Sequence, residues 1–81
     1  MRKVLITGGA GYVGSELATL LAIDSTEVVI YDTFWFSTPD IFKNYQNIQT
    51  IIGDIRDQQS FKSALGGITD VIHLACISND P

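Results

Sequence analysis

Apolar and polar positions follow one another along the chain in blocks that predict strands and helices in turn. Val4-Leu5-Ile6 is apolar at every position, the mark of a strand buried on both faces of a parallel sheet. Beyond a glycine-rich break, Val13, Leu17, Leu20 and Leu21 fall on one side of a 3.6-residue period. That spacing predicts a helix from about Tyr12 that ends within Ala22-Ile23-Asp24-Ser25-Thr26. Glu27 to Tyr31 and Ile48 to Ile52 read as the second and third strands. Between them, Ser37-Thr38-Pro39-Asp40 has a proline near the first helical position and an acid in the first turn, which predicts a short helix over Pro39 to Asn44. Asp57 suits the N-cap of a helix through Leu65, with Phe61, Ala64 and Leu65 inward and Gly66-Gly67 as its stop. Asp70 to Cys76 is the fourth strand, apolar on both faces apart from His73, and so reads as an interior one. The fold expected from this alternation is α/β: a Rossmann-type parallel sheet in the order 3-2-1-4 with flanking helices, half of a doubly wound domain.

The break between the first strand and the first helix carries the most chemistry. Thr7-Gly8-Gly9-Ala10-Gly11-Tyr12-Val13-Gly14 places Gly8 where a tight turn must leave the strand. Gly11 lies where a Cβ would intrude on a pyrophosphate, and Gly14 where the helix packs closely on the strand. The helix N-terminus, with free N–H groups at about Tyr12 and Val13, then faces an anion without needing Lys or Arg. Glycine triplets are common in turns, so the context matters: strand before, helix after, and Asp32 at the end of the next apolar run, where a ribose-binding carboxylate belongs. Dinucleotide binding is the expectation. A nucleoside triphosphate loop is disfavoured, because Gly14 is followed by Ser15-Glu16 and not by Lys-Ser or Lys-Thr.

Length and charge narrow the reading. At 81 residues the chain holds at most one small domain, which buries roughly 60–65% of its unfolded surface. No apolar run approaches the ~20 residues of a membrane span, and the run after Met1-Arg2-Lys3 is too short for a signal peptide, so a cytoplasmic location is expected. The single cysteine, Cys76, has no disulfide or zinc partner, which agrees with a reducing compartment. A net charge of −4 with five scattered basic residues argues against a nucleic-acid surface.

Other residues carry paired readings. Asp54, at the C-terminal end of the third strand, either accepts a hydrogen bond from an adenine amino group or caps its own turn. Phe34-Trp35-Phe36 either stacks on adenine or, more plainly, packs a loop against the sheet edge. His73 reads as a satisfied core residue and Cys76 as a small buried hydrophobe, since neither has a partner spaced for catalysis.

Taken together, Thr7-Gly8-x-x-Gly11-x-x-Gly14, Asp32, Gly53-Asp54-Ile55-Arg56-Asp57 and His73-Leu74-Ala75 resemble the extended short-chain dehydrogenases, the NAD-dependent nucleotide-sugar epimerases and dehydratases. The resemblance runs from Lys3 to about Pro81, the first quarter to third of such an enzyme, and implies that residues 1–81 are the N-terminal part of an NAD-binding domain with no second domain. It further implies that Gly8, Gly11 and Gly14, with the backbone of Tyr12 and Val13, hold the pyrophosphate. Asp32 and Thr33 would bind the adenosine ribose, Asp54 and Ile55 the adenine, and Leu74 and Ala75 would line the path to the nicotinamide ribose. Cys76 and the aromatic run after Thr33 depart from the family pattern.

The family's chemistry uses a Tyr with a Lys four residues later. Tyr12, Tyr31 and Tyr45 are followed at that distance by Glu16, Trp35 and Gln49, so the chain is expected to bind NAD and to lack catalytic residues of its own. The nucleotide-sugar substrate then belongs to a full-length parent that moves hydride between NAD and a sugar carbon. The alternative is a non-catalytic dinucleotide-binding module or subunit. No metal site is expected. Placed last in the order 3-2-1-4, the fourth strand would leave Val71, Ile72 and Leu74 partly bare at a sheet edge, so self-association is expected too.

Overall fold

The computed structural model describes residues 2–35 and 38–74. Four parallel strands, β1 (Lys3–Thr7), β2 (Glu27–Asp32), β3 (Ile48–Ile52) and β4 (Asp70–His73), form one sheet in the order β3-β2-β1-β4. Helix α1 (Tyr12–Ile23) crosses from β1 to β2, a single 3-10 turn (Pro39–Phe42) lies between β2 and β3, and α2 (Gln58–Ala64) leads to β4. The 3-10 turn is shorter than the helix expected to Asn44. No helix among the described residues is long and apolar enough to cross a membrane.

Burial follows the strand order. In the central strands Val4, Leu5, Ile6, Val28, Val29, Ile30 and Tyr31 are all buried, and successive side chains feed opposite layers. Val4, Ile6, Val28 and Ile30 join Ala18 of α1 and Phe42 on one face. Leu5, Val29 and Tyr31 meet Phe61, Ala64 and Leu65 on the other, as the inward face predicted for α2 requires. Phe61 sets its ring edge-on to Tyr31, with centroids 5.4 Å apart.

Two expectations need correction. The inner face of α1 is made by Gly14, Ala18 and Ala22, spaced four apart, with Leu17 and Leu21 packed on its flanks. Val13 and Leu20 are each 65% exposed. Small residues win because they bring the helix backbone down onto the sheet, and the one-turn period that relates Val13 to Leu17 and Leu20 covers both rims of that contact. The second correction concerns β4. Its apolar run reads as interior, yet among these residues it stands at the sheet edge, where the order 3-2-1-4 places it: Val71 is 48% exposed, and only Ile72 reaches the core cluster. His73 is accordingly exposed and not a core residue, although its ring nitrogen is engaged. Cys76 lies outside the described residues.

The end of α1 holds a feature the pattern does not announce. Ser25 stands at φ 65°, with its N–H on the Ala22 carbonyl and the Thr26 N–H on the Leu21 carbonyl. This helix stop is usually built on glycine. Asn47 reinforces it by donating from Nδ2 to the carbonyls of Ala22 and Thr26, both at 2.9 Å.

Candidate functional site

The residues singled out by their spacing converge at the C-terminal ends of the strands, where parallel α/β sheets bind ligands. Gly8 leaves β1 at φ 72°, in the left-handed region, and its N–H donates to the Tyr31 carbonyl at 2.9 Å. Its own carbonyl accepts the Gly11 N–H at 3.1 Å and closes the loop. Gly14 packs on this loop more than on the strand itself: a Cβ there would sit 2.7 Å from both the Gly8 oxygen and the Gly9 Cα. Gly9 is constrained too, since its Cβ would fall 2.6 Å from Ile30 Cδ1.

Gly11 is different. Its backbone is extended, at φ −73° and ψ 177°, and an added Cβ would find only the Gly8 oxygen, at 3.4 Å. Neither conformation nor internal packing requires a glycine there. Gly11 is also the N-cap of α1, so no side chain caps the first turn, and that turn holds no acid. Its leading N–H groups, from Tyr12 onward, and the positive end of the helix dipole therefore face outward, beside the 82% exposed Tyr12 and the exposed Val13.

Asp32 ties this loop to the next strand. Oδ2 accepts the Ala10 N–H at 3.0 Å, Oδ1 accepts the Phe34 N–H at 2.8 Å, and the Asp32 carbonyl takes the Gly53 N–H at 2.9 Å. One partly buried carboxylate thus fastens the glycine loop and the turn after β2, and each oxygen retains a lone pair for an outside donor. Thr33 follows it, also partly buried. In the aromatic run, Phe34 packs on the core, as the plainer reading expects, while Trp35 is 69% exposed; Phe36 lies outside the described residues.

Asp54 caps its own turn. Its Oδ1 accepts the Arg56 N–H at 2.9 Å, and the Arg56 guanidinium reaches both oxygens, with Nη2 2.6 Å from Oδ2. Four hydrogen bonds from three Arg56 donors, two to each oxygen, thus occupy the carboxylate. The Arg56 hydrogen bonds hold the Asp54 carboxyl down at about 2, well below the usual carboxylate range. Ile55, beside it, packs against the cluster of Leu5, Val29 and Tyr31.

Tyr31 and Thr7, to which the motifs assign no role of their own, position these. Tyr31 is fully buried; its hydroxyl donates to the Asp54 carbonyl at 3.1 Å and meets Ser60 Oγ at 2.9 Å. A Cβ on Gly53 would strike the Tyr31 ring at 2.5 Å, so that glycine exists for the tyrosine. Thr7, also fully buried, sets Oγ1 2.8 Å from His73 Nδ1 and accepts the Leu74 N–H at 3.1 Å. That pins Leu74, 40% exposed, to the end of β1. Ala75 lies outside the described residues.

A family described as 3-beta hydroxysteroid dehydrogenase/isomerase matches residues 5–80. The chain belongs to that family. A 3-beta-hydroxysteroid dehydrogenase of Mycolicibacterium neoaurum is 33% identical over 75 residues, covering 93% of this chain and 19% of its own length. A UDP-glucose 4-epimerase of Corynebacterium glutamicum is 38% identical over 76 residues, covering 94% of this chain and 22% of its own. In shape, the Bordetella bronchiseptica enzyme WbmG, solved in complex with NAD, superposes with a TM-score of 0.84 at 28% identity, over 98% of this chain and 26% of its own. The chain thus spans about a fifth to a quarter of the relatives it matches. The resemblance to extended short-chain dehydrogenases read from the motifs holds, and steroid dehydrogenases, which the motifs do not separate from sugar epimerases, stand beside the epimerases among these family relatives.

The Asp54–Arg56 pair has a defined pH signature. Because the folded carboxyl titrates below its unfolded value, its contribution to stability is complete above the usual carboxylate range and is lost as pH falls through about 2. A carbon-detected NMR titration of Asp54 is expected to show the low midpoint in the native chain and a return to the usual range in Arg56→Gln. A midpoint unmoved by that substitution contradicts the pairing.

Proposed function

We propose that the chain is the NAD-binding portion of an NAD-dependent epimerase or dehydratase acting on a nucleotide sugar. The observation that carries this reading is the uncapped N-terminus of α1, closed over by a loop whose Gly11 is required by neither its conformation nor its neighbours. A pyrophosphate fits that cradle: the Gly8, Gly11 and Gly14 backbone makes room for it, and the Tyr12 and Val13 N–H groups bind it. Asp32, already held by Ala10 and Phe34, accepts the adenosine ribose hydroxyls with Thr33 beside it. Asp54 and Ile55 border the adenine, and Leu74 and Ala75 the approach to the nicotinamide ribose. Bound NAD supplies the hydride acceptor and donor for oxidation and re-reduction of a sugar carbon. The chain's own residues bind and orient; none of its tyrosines has a lysine four residues later, so proton transfer belongs to a longer parent. A single cysteine and the absence of long apolar runs go with a cytoplasmic setting.

The match over residues 5–80 favours a second reading of the parent's substrate, a 3-beta-hydroxysteroid in place of a nucleotide sugar. Both readings use the same cofactor half. Assays of the full-length gene product separate them: NADH formed from a 3-beta-hydroxysteroid supports the steroid reading, and conversion of UDP-glucose without net NADH supports the sugar reading.

The dinucleotide itself is tested on the chain. Asp32 repels a 2′-phosphate, and no Lys or Arg lies between Thr33 and Phe42 to offset it. Calorimetry is expected to show weak binding that favours NAD over NADP, with the preference reduced in Asp32→Ala. Equal or tighter NADP binding by the unsubstituted chain overturns the role given to Asp32.

The exposed edge at β4 supports self-association, either by strand pairing or by covering Val71 and Leu74 with a second copy. Sedimentation velocity is expected to show concentration-dependent dimers or larger species that Val71→Lys disperses. A concentration-independent monomer refutes this.

A further inference from the structure

We propose that Trp35 stacks on the adenine base of the bound dinucleotide, an inference that rests on Asp32 as the ribose ligand. The indole stands three residues beyond Asp32, in the loop that leaves the ligand-binding end of β2. It is 69% exposed and makes no ring contact among the described residues. Its neighbour takes the opposite course: Phe34 turns inward and packs with Ala10, Leu17 and Leu21 against the core cluster.

The backbone divides the two rings by an unusual route. Phe34 sits at φ 57°, a left-handed conformation that a bulky residue rarely adopts. Two contacts hold it there, the core packing of its ring and the 2.8 Å bond from its N–H to Asp32 Oδ1. The carboxylate assigned to the ribose therefore also sets the path on which the chain carries Trp35 out into solvent. Packing alone explains Phe34; it does not explain an exposed indole on the next residue. A large flat π-face a few residues from a ribose carboxylate suits the base attached to that ribose. In a dinucleotide bound through Asp32 as proposed, that base would be adenine, with the pyrophosphate at the α1 N-terminus separating it from the nicotinamide. Stacking also needs no hydrogen-bond code from the protein, which suits a site whose nearby Asp54 carboxylate is already taken up by Arg56.

Trp35 is the chain's sole tryptophan, so its fluorescence reports on this site directly. ADP-ribose is expected to quench it, and nicotinamide mononucleotide to leave it unchanged. By calorimetry Trp35→Ala is expected to weaken ADP-ribose binding about tenfold, while Trp35→Phe retains most of the affinity and both variants keep the unfolding midpoint of the parent chain. ADP-ribose that binds without quenching, or binds Trp35→Ala with undiminished affinity, overturns the stacking role and leaves the dinucleotide site standing. Quenching by UDP in preference to ADP-ribose overturns the choice of adenine. No detectable heat with ADP-ribose or NAD overturns the dinucleotide site and this inference with it.

Discussion

The backbone of α1 touches the backbone of the loop that precedes it, and the rest of the site depends on that contact. With Gly14 resting on Gly8 and Gly9, four residues separate β1 from the helix, and its first turn lies at the end of that strand. Two neighbouring facts follow from the same closeness. Gly9 has to be bare because Ile30 lies beneath it, and the inner face of α1 has to stay small, which Ala18 and Ala22 satisfy. Bulk at any of these points would lift the helix and carry its N-terminal N–H groups away from the loop.

Around that contact, hydrogen bonds tie each strand end to its neighbour. Asp32 joins the glycine loop to the turn after β2, and its carbonyl takes the N–H of Gly53 beyond β3. The Tyr31 hydroxyl joins β2 to the Asp54 turn and to α2, and Thr7 joins β1 to the residues after β4. The four loop starts that would contact a dinucleotide are thus held to one another before any ligand arrives. That is pre-organisation, which lowers the ordering cost of binding. It also explains why buried polar residues sit in the two central strands, where apolar ones would otherwise serve: their polar tips reach the rim while their stems remain in the core.

Much of this was legible in the sequence, for physical reasons that differ by residue. Continuous apolar runs locate buried parallel strands because both faces are covered, and so β1 and β2 stand where the pattern places them; β3, an edge strand whose run is broken by Gln49 and Thr50, also has the expected bounds. Gly8 and the Asp57 cap were readable because a positive φ and an N-cap each demand particular residues at particular positions; the Asp57 carboxylate accepts the Ser60 N–H at 3.1 Å. The helical period failed at Val13 and Leu20, because periodicity counts apolar residues and cannot see that a close helix–sheet contact prefers glycine and alanine. It failed at β4 as well, since an apolar strand reads the same whether a neighbour covers it or not. Tyr31, Thr7, Gly9 and Gly53 act through partners more than 20 residues away or through space that only the fold defines, and no local pattern carries that information.

Substitution of Gly14 by alanine probes the central contact most directly, because the sign of the effect is diagnostic. Inside an ordinary helix, Gly→Ala raises stability by roughly 0.5–1 kcal/mol. Here the new methyl meets backbone atoms of Gly8 and Gly9 that have no rotamer to escape into. Urea unfolding of Gly14→Ala is expected to show a loss of about 1–3 kcal/mol relative to the parent chain. A gain, or unchanged stability, would show that the helix does not rest on the loop and would contradict the account.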